Sequence, residues 1–335
     1  MAIIDHPAYG TYEVETIVVD DTTSFTLACS PRRNTLPGNG GIRWLSYDSR
    51  AAQEEEAIML AHAMDRKHGL YQTGFSGGKI VVNSTAKPEN AMHVFDAIAQ
   101  LLNRYNGSMY TGCDINTSST HMQYLRLSSP WILDALESPQ INTSIATGYG
   151  VWSALQTVIE HAPGTGARPQ IAIHGMGKVG CEIARQCLKH GYDVVGFDVR
   201  PTPAIPAEVR MLDKEAFWAF PSDILCIASL SGILDASTVE KVAARWVISS
   251  SNSPFSSPET QNRLLERGIN YLPDYVSNAG AVLCDSIEKM YPDRYRNMSQ
   301  DQANEYVAAL ISNRTRELIG RSQVLGFDVH MLLTA

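Results

Sequence analysis

The stretch Gln170-Ile-Ala-Ile-His174-Gly175-Met176-Gly177-Lys178-Val179-Gly180, running on through Cys181 to Lys189 and then Tyr192-Asp-Val-Val-Gly-Phe-Asp198, decides the fold. An apolar run of strand type leads into G-x-G-x-x-G, a helix-forming segment follows, and a second apolar strand ends in an acid. Gly175 permits a tight turn, Gly177 lets the backbone approach a pyrophosphate, and Gly180 lets helix and strand pack closely. Met176, Lys178 and Val179 complete the loop, and the helix N-terminus faces the anion. Asp198 stands where a carboxylate accepts both ribose hydroxyls of an adenosine half. It would repel a 2′-phosphate, so NAD is expected over NADP. Val199 and Arg200 follow it, and Arg200 is the residue that would favour the phosphate. The other reading is a glycine loop serving a different nucleotide-like ligand, or none.

Working outward, strand-like segments at residues 223–230, 246–251 and 269–276 alternate with helix-like ones. Continuous apolar strands between helices imply a parallel, doubly wound sheet. Upstream, residues 23–30 read as a strand and are followed by a loop rich in turn residues, Pro31 and Pro37 to Gly41. Ser49 suits the cap of a helix with Glu54, Glu55 and Glu56 near its start and Ala57, Leu60, Ala61 and Met64 on its buried face. A glycine-rich bend then leads to a strand beginning at Lys79. Val94, Ile98, Leu101 and Leu102 mark a helix over 91–105, and 109–112 reads as a short strand. A helix over 147–161 leads to a spacer at 162–169, and Val307, Leu310, Ile311 and Leu318 put one apolar face on a helix over 301–319.

The expected fold is α/β with two domains. An α/β substrate domain spans 1–140 and is completed by the C-terminal helix at 300–335. A Rossmann domain, a doubly wound parallel sheet that binds NAD, spans 141–290, with the active site in the cleft.

Composition narrows the function classes. The formal net charge is -8 and no basic run occurs, so nucleic acid is excluded as a partner. No run of about 18 apolar residues occurs, and the N-terminus lacks the pattern of a secretory signal. The six cysteines form no C-x-x-C pair and read as reduced, buried thiols of a cytoplasmic protein. The histidines show no paired ligand spacing, so no metal site is expected.

The chemistry-bearing residues fall in four further motifs. Met64-Asp-Arg-Lys67 precedes a glycine bend, and Ser76-Gly77-Gly78-Lys79 closes it. Tyr110-Thr-Gly-Cys-Asp114 puts a carboxylate at a strand end, and Pro273-Asp-Tyr-Val-Ser-Asn278-Ala-Gly280 follows the nucleotide unit. Two lysines close together repel, so one of them, if desolvated, acquires a lowered pKa and serves as the base.

In these motifs and their spacing, over about residues 40–288, the chain resembles the glutamate/leucine/phenylalanine/valine dehydrogenase family, and within it the leucine and phenylalanine branch. The resemblance implies NAD-dependent oxidation of an L-amino acid to its 2-keto acid and ammonia. It implies that Lys67, with Met64, binds the substrate carboxylate. Lys79 would activate water, Asp114 would exchange protons with the amine, and Asn278 would fix substrate beside the cofactor. Gly40 and Gly41 match a diglycine that lets substrate approach the backbone, and Thr147 a threonine near the nicotinamide. Ala228 and Ser229 stand in a divergent P-C-A-L-G segment, and Asn252 in a divergent A-N-N-Q segment; both are expected beside the cofactor. A homo-oligomer, dimer or larger, is expected from the family.

The resemblance also places two positions at the end of the side-chain pocket, Asn39 and Asp285. Both are polar here, which implies a substrate with a donor or a cation on its side chain, basic or aromatic. The competing reading pairs Asp285 with Lys289 one helical turn on. Two other functions remain open: a 2-hydroxy-acid dehydrogenase, which would leave the Lys67/Lys79 pair unexplained, and a non-catalytic ligand-binding relative.

Overall fold

A computed structural model describes residues 1–161, 168–325 and 328–333. The spacer read at 162–169 lies outside the described residues apart from its last two. The chain divides into two compact units, Met1–Ile141 with Val282–Met298, and Asn142–Ala281 with Ser299–Ala335.

The first unit opens with β1 (Ala2–His6), β2 (Gly10–Asp20), β3 (Thr23–Cys29), β4 (Gly38–Asn39) and β5 (Ile42–Leu45), followed by α1 (Arg50–Tyr71) and β6 (Ser76–Asn83). Then come α2 (Met92–Tyr105), β7 (Met109–Tyr110) and α3 (Ser119–Arg126). The sheet runs β1-β2-β3-β6-β4-β7, with β5 also on β6. Its β1–β2, β2–β3 and β3–β6 pairings are antiparallel, and the β4–β6, β4–β7 and β5–β6 pairings are parallel.

Alternation sorts the two faces. Val14, Ala28 and Val81 meet Ala57, Ile58, Leu60 and Ala61 of α1. Phe25, Leu27, Ile80 and Val82 meet Val94, Phe95, Ile98, Leu101 and Leu102 of α2. Ser49 caps α1, accepting from the Ala52 N–H at 3.1 Å, and Gln72 ends it in the left-handed region at φ 49°. The residues read as loop at 38–39 form β4 instead. Gly40 explains how strands fit so closely there: a Cβ on it would stand 1.8 Å from the Gly78 carbonyl oxygen.

The second unit begins with α4 (Thr143–His161) and continues β8 (Gln170–His174), α5 (Lys178–Lys189), β9 (Asp193–Phe197), β10 (Arg210–Met211), α6 (Lys214–Trp218) and β11 (Ser222–Ile227). It goes on through α7 (Ala236–Lys241), β12 (Ala244–Ser249), α8 (Pro258–Glu266), β13 (Asn270–Leu272) and α9 (Asp274–Ser277). All pairings are parallel, in the order β10-β9-β8-β11-β12-β13. That is the doubly wound Rossmann order, whose strand direction of progress reverses between β8 and β11.

The chain then forms α10 (Gly280–Met290) and α11 (Pro292–Arg296), and residues 282–298 belong to the first unit. Finally α12 (Gln300–Leu325) returns to the second. The C-terminal helix was expected to complete the substrate domain; it packs on α4 instead. The cause is a small-residue groove: a Cβ on Gly150 of α4 would meet Ile311 Cδ1 at 2.7 Å and Val307 Cγ1 at 2.8 Å. Periodicity reveals that a helix has an apolar face, not which neighbour receives it.

Candidate active site

In the first unit, β6 carries Lys79 on the face covered by α1, opposite Ala28 on β3. Lys79 is 4% exposed, and its Nζ lies 2.8 Å from Asp114 Oδ2. The same oxygen accepts from Arg43 Nε at 2.9 Å, and Arg43 Nη1 donates to Glu56 Oε1 at 2.6 Å. Arg43 is 5% exposed. Burial favours the neutral lysine and lowers the Lys79 pKa; Asp114 opposes this and Arg43 adds to it. Burial alone would raise Asp114, but Lys79 and Arg43 overcome that and hold its carboxyl well below the ordinary value. The lowered lysine expected from the sequence is present, and its causes are desolvation and Arg43. Arg43 and Glu56 were missed, because a lone Arg in a strand and a Glu in a helix start carry no motif.

Lys67 sits on α1 one turn after Met64, and both are buried. The next residue, His68, is buried too: its Nδ1 lies 2.6 Å from Thr73 Oγ1 and its Nε2 3.3 Å from the Asn39 carbonyl oxygen. Burial pushes its pKa down to about 4, so the neutral ring donates to that carbonyl and ties α1 to β4. For Gly41, as for Gly40, the visible demand is backbone packing: a Cβ would lie 2.4 Å from the Cys113 carbonyl oxygen. Ser76, which departs from the usual glycine triplet, is buried and donates its hydroxyl to the Leu36 carbonyl at 2.7 Å.

Asn39 and Asp285 do meet. Asn39 Nδ2 donates to Asp285 Oδ2 at 2.8 Å. Lys289, the alternative partner, instead holds its Nζ 4.8 Å from the Tyr110 ring centre. Burial raises the Asp285 pKa well above the ordinary value; Asn39 lowers it, and Glu288 and Asp134 raise it further. Glu288 is pushed up to about 7, by burial first.

In the second unit the glycine loop fits a dinucleotide. Gly175 has φ +95° and its Cβ would collide with the Ala228 carbonyl oxygen at 2.6 Å; at Gly180 a Cβ would lie 1.9 Å from the Gly175 carbonyl oxygen. Beside Gly177 the space is open, and no side chain caps α5 where Lys178 and Val179 begin it. These are the free backbone positions a pyrophosphate uses. Asp198 Oδ2 accepts from the Met176 N–H and Oδ1 from the Arg200 N–H, both at 2.7 Å, while Val199 is exposed. Ala228 donates its N–H to the His174 carbonyl at 2.7 Å, and Ser229 Oγ lies 2.7 Å from His174 Nδ1. All of these follow the ends of β8, β9 and β11. Asn278 Nδ2 donates to Asn252 Oδ1 at 3.1 Å and the Ser250 carbonyl at 3.3 Å, and its buried Oδ1 has no donor among the described residues. The Thr147 hydroxyl donates to the Thr143 carbonyl, and Gly280 lies against its backbone.

A family model described as Glutamate/Leucine/Phenylalanine/Valine dehydrogenase matches residues 197–331. Relatives extend the likeness over the first unit. A phenylalanine dehydrogenase of Lysinibacillus sphaericus is 27% identical over 273 residues, 78% of this chain and 72% of that one. A valine dehydrogenase of Streptomyces coelicolor is 27% identical over 292 residues, 83% and 80%. The family model and these relatives support the amino-acid dehydrogenase family for this chain. The same fold is seen in solved structures. The L-tryptophan dehydrogenase of Nostoc punctiforme superposes with a TM-score of 0.72 at 20% identity, covering 96% of this chain and 93% of that one. The hetero-hexameric glutamate dehydrogenase of Thermus thermophilus gives 0.80 at 19%, covering 96% and 86%. Among the described residues no helix is long and apolar enough to cross a membrane.

Proposed function

We propose that this protein is an NAD-dependent L-amino-acid dehydrogenase that converts an amino acid and water to the 2-keto acid and ammonia, reversibly. The observation that carries the reading is buried Lys79 paired with half-buried Asp114, with buried Arg43 on the same carboxylate oxygen. Isolated buried charges are costly unless they are used.

In this reading Lys67 holds the substrate carboxylate as a cation already stripped of water, with Met64 against the substrate. Bound NAD would supply the acceptor for the hydride of the substrate α-carbon. The resulting iminium carbon is open to water. Lys79, favoured in its neutral form by burial, takes the proton of the attacking water. Asp114, anionic at rest beside it, supports the positive charge of the amine, takes a proton from the substrate ammonium and returns it to the departing ammonia. Oxygen enters from water, nitrogen leaves as ammonia and one proton is released to solvent.

The second unit would hold the cofactor through Gly175, Met176, Gly177, Lys178, Val179 and Gly180 at the pyrophosphate, and Asp198, Val199 and Arg200 at the adenosine ribose. Thr147, Ala228, Ser229, Asn252 and Asn278 would lie toward the nicotinamide. NAD is favoured because the Asp198 carboxylate would repel a 2′-phosphate. A cytoplasmic location and self-association into a homo-oligomer belong to the same reading.

The test is absorbance of NADH on mixing the protein and NAD with L-amino acids or with 2-hydroxy acids. Reduction by an amino acid, with ammonia released in equal amount, is expected. Reduction by hydroxy acids alone would replace this reading with the 2-hydroxy-acid one.

A further inference from the structure

Asn39 and Lys79 share one face of the first unit's sheet. Asn39 is paired with Gly77 across β4 and β6, and Lys79 stands two residues farther along β6. Opposite residues of a parallel pair point the same way, as do residues two apart on one strand. With strands about 4.8 Å apart and a rise of about 3.3 Å per residue, the two Cα atoms lie roughly 8 Å apart. Tyr110, paired with Asn39 on β7, points the same way. Helix α10 covers this end of the face through three contacts: Asp285 to Asn39, Lys289 to the Tyr110 ring, and Ser286 Oγ to the Thr73 carbonyl at 2.8 Å.

Folding leaves two needs unmet there. Asn39 is 1% exposed, yet its Oδ1 has no hydrogen-bond donor among the described residues. A buried acceptor without a donor is a loss that native structures seldom tolerate without use. Among the described residues no ion pair is formed by Asp285 either, and the acidic Glu288 and Asp134 lie near enough to raise its pKa beyond the effect of burial. Arg126, the nearest basic influence on Glu288, is itself paired with Glu137 at 3.4 Å. So acidic groups gather beside Asn39, and among the described residues no donor reaches Asn39 Oδ1 and no cation pairs with Asp285.

We infer that the substrate's side chain ends here and carries an N–H donor, received by Asp285 and by Oδ1 of Asn39. The inference rests on the dehydrogenase reading, which sets the substrate α-carbon beside Lys79. From there the four-carbon stem of lysine or the indole of tryptophan spans the distance to Asn39. The shared chemistry is the N–H group, and a cation gains further from the surrounding acids. An aliphatic side chain would cut both acceptors off from water and return no hydrogen bond.

The experiment compares kcat/KM within pairs of amino acids that differ at the N–H: lysine against norleucine, and tryptophan against 3-benzothienylalanine, in which sulfur replaces the indole nitrogen. The donor-bearing member of at least one pair is expected to win by about a hundredfold or more in the wild type. The lysine pair reports a cationic side chain and the tryptophan pair a neutral one. Asp285→Val should cut that preference by about tenfold or more and raise turnover of the apolar member; Asp285→Asn, which keeps the shape, should weaken a preference for lysine and serves if the valine variant does not fold. If the wild type prefers the apolar member of both pairs, or folded Asp285 variants keep the wild-type order, the inference is overturned and the dehydrogenase reading stands. If no amino acid reduces NAD, both fall.

Discussion

Lys79 and Arg43 converge on a single oxygen, Oδ2 of Asp114, at 2.8 and 2.9 Å. One carboxylate thus faces two cations, with Glu56 balancing the second at 2.6 Å. When Lys79 loses its proton, Asp114 keeps a charged partner, so the base form of the lysine does not strand a buried anion. Arg43 therefore adds to burial in favouring the neutral lysine beside an anionic Asp114.

Arg43→Gln removes one positive charge beside Lys79. Since Arg43 pushes the Lys79 pKa down, its loss should raise that pKa and move the inflection on the acidic limb of kcat/KM, below which the base is protonated, to higher pH. Arg43→Lys, which keeps the charge, should hold the inflection nearer the wild type. Leaving Glu56 and Asp114 short of a cation should also cost about 3–5 kcal/mol of stability. An unmoved inflection in folded Arg43→Gln would make the residue purely structural.

Lys67→Ala should weaken substrate binding. Hydrogen bonds to charged groups contribute about 1.5–3 kcal/mol, so KM for the amino acid should rise roughly ten- to a hundredfold, while KM for NAD stays near wild type. A raised KM for NAD alone would place Lys67 elsewhere in the reaction.

Asp198→Ser should raise the use of NADP relative to NAD, measured as the ratio of kcat/KM for the two cofactors. The Asp198 carboxylate lies at the end of β9, where it would repel a 2′-phosphate. A wild type that already prefers NADP would mean that Arg200 dominates at this strand end.

Glu288 supplies a pH test of stability. Burial raises its pKa from 4.5 to about 7 in the fold, so between those values the native state holds a proton that the unfolded chain has released. Stability from this group is intact below pH about 4.5 and is lost as pH rises through about 7. Glu288→Gln keeps the acceptor for the Ala135 N–H, now 3.1 Å from Glu288 Oε2, and removes the titration. It should raise the melting temperature at pH 8, by an amount worth up to about 3 kcal/mol, and leave it unchanged at pH 4. Equal effects at both pH values would show that Glu288 does not titrate in the fold.

The nucleotide unit was legible because its signals are local: the glycine loop, an apolar strand on either side and Asp198 one strand on. The same holds for Ser49 and the buried face of α1. What stayed hidden depends on contacts distant in sequence. Strands β1 and β2 carry no such local signal, and β4 reads as loop because Gly38 and the adjoining Gly40 and Gly41, needed for close strand packing, look like turn residues. The destination of α12 turned on Gly150, which a sequence presents only as one more glycine in a helix. At the site, Lys67, Lys79 and Asp114 stand in motifs, whereas Arg43 reaches Asp114 across 71 positions of sequence.

The most direct measurement is kcat for amino-acid oxidation by Lys79→Ala, beside a circular dichroism spectrum that verifies its fold. General bases contribute about 100- to 10,000-fold, and a loss within that range is expected, with KM for NAD little changed. Turnover near the wild type in a folded Lys79→Ala would contradict the assignment of the buried lysine as the base.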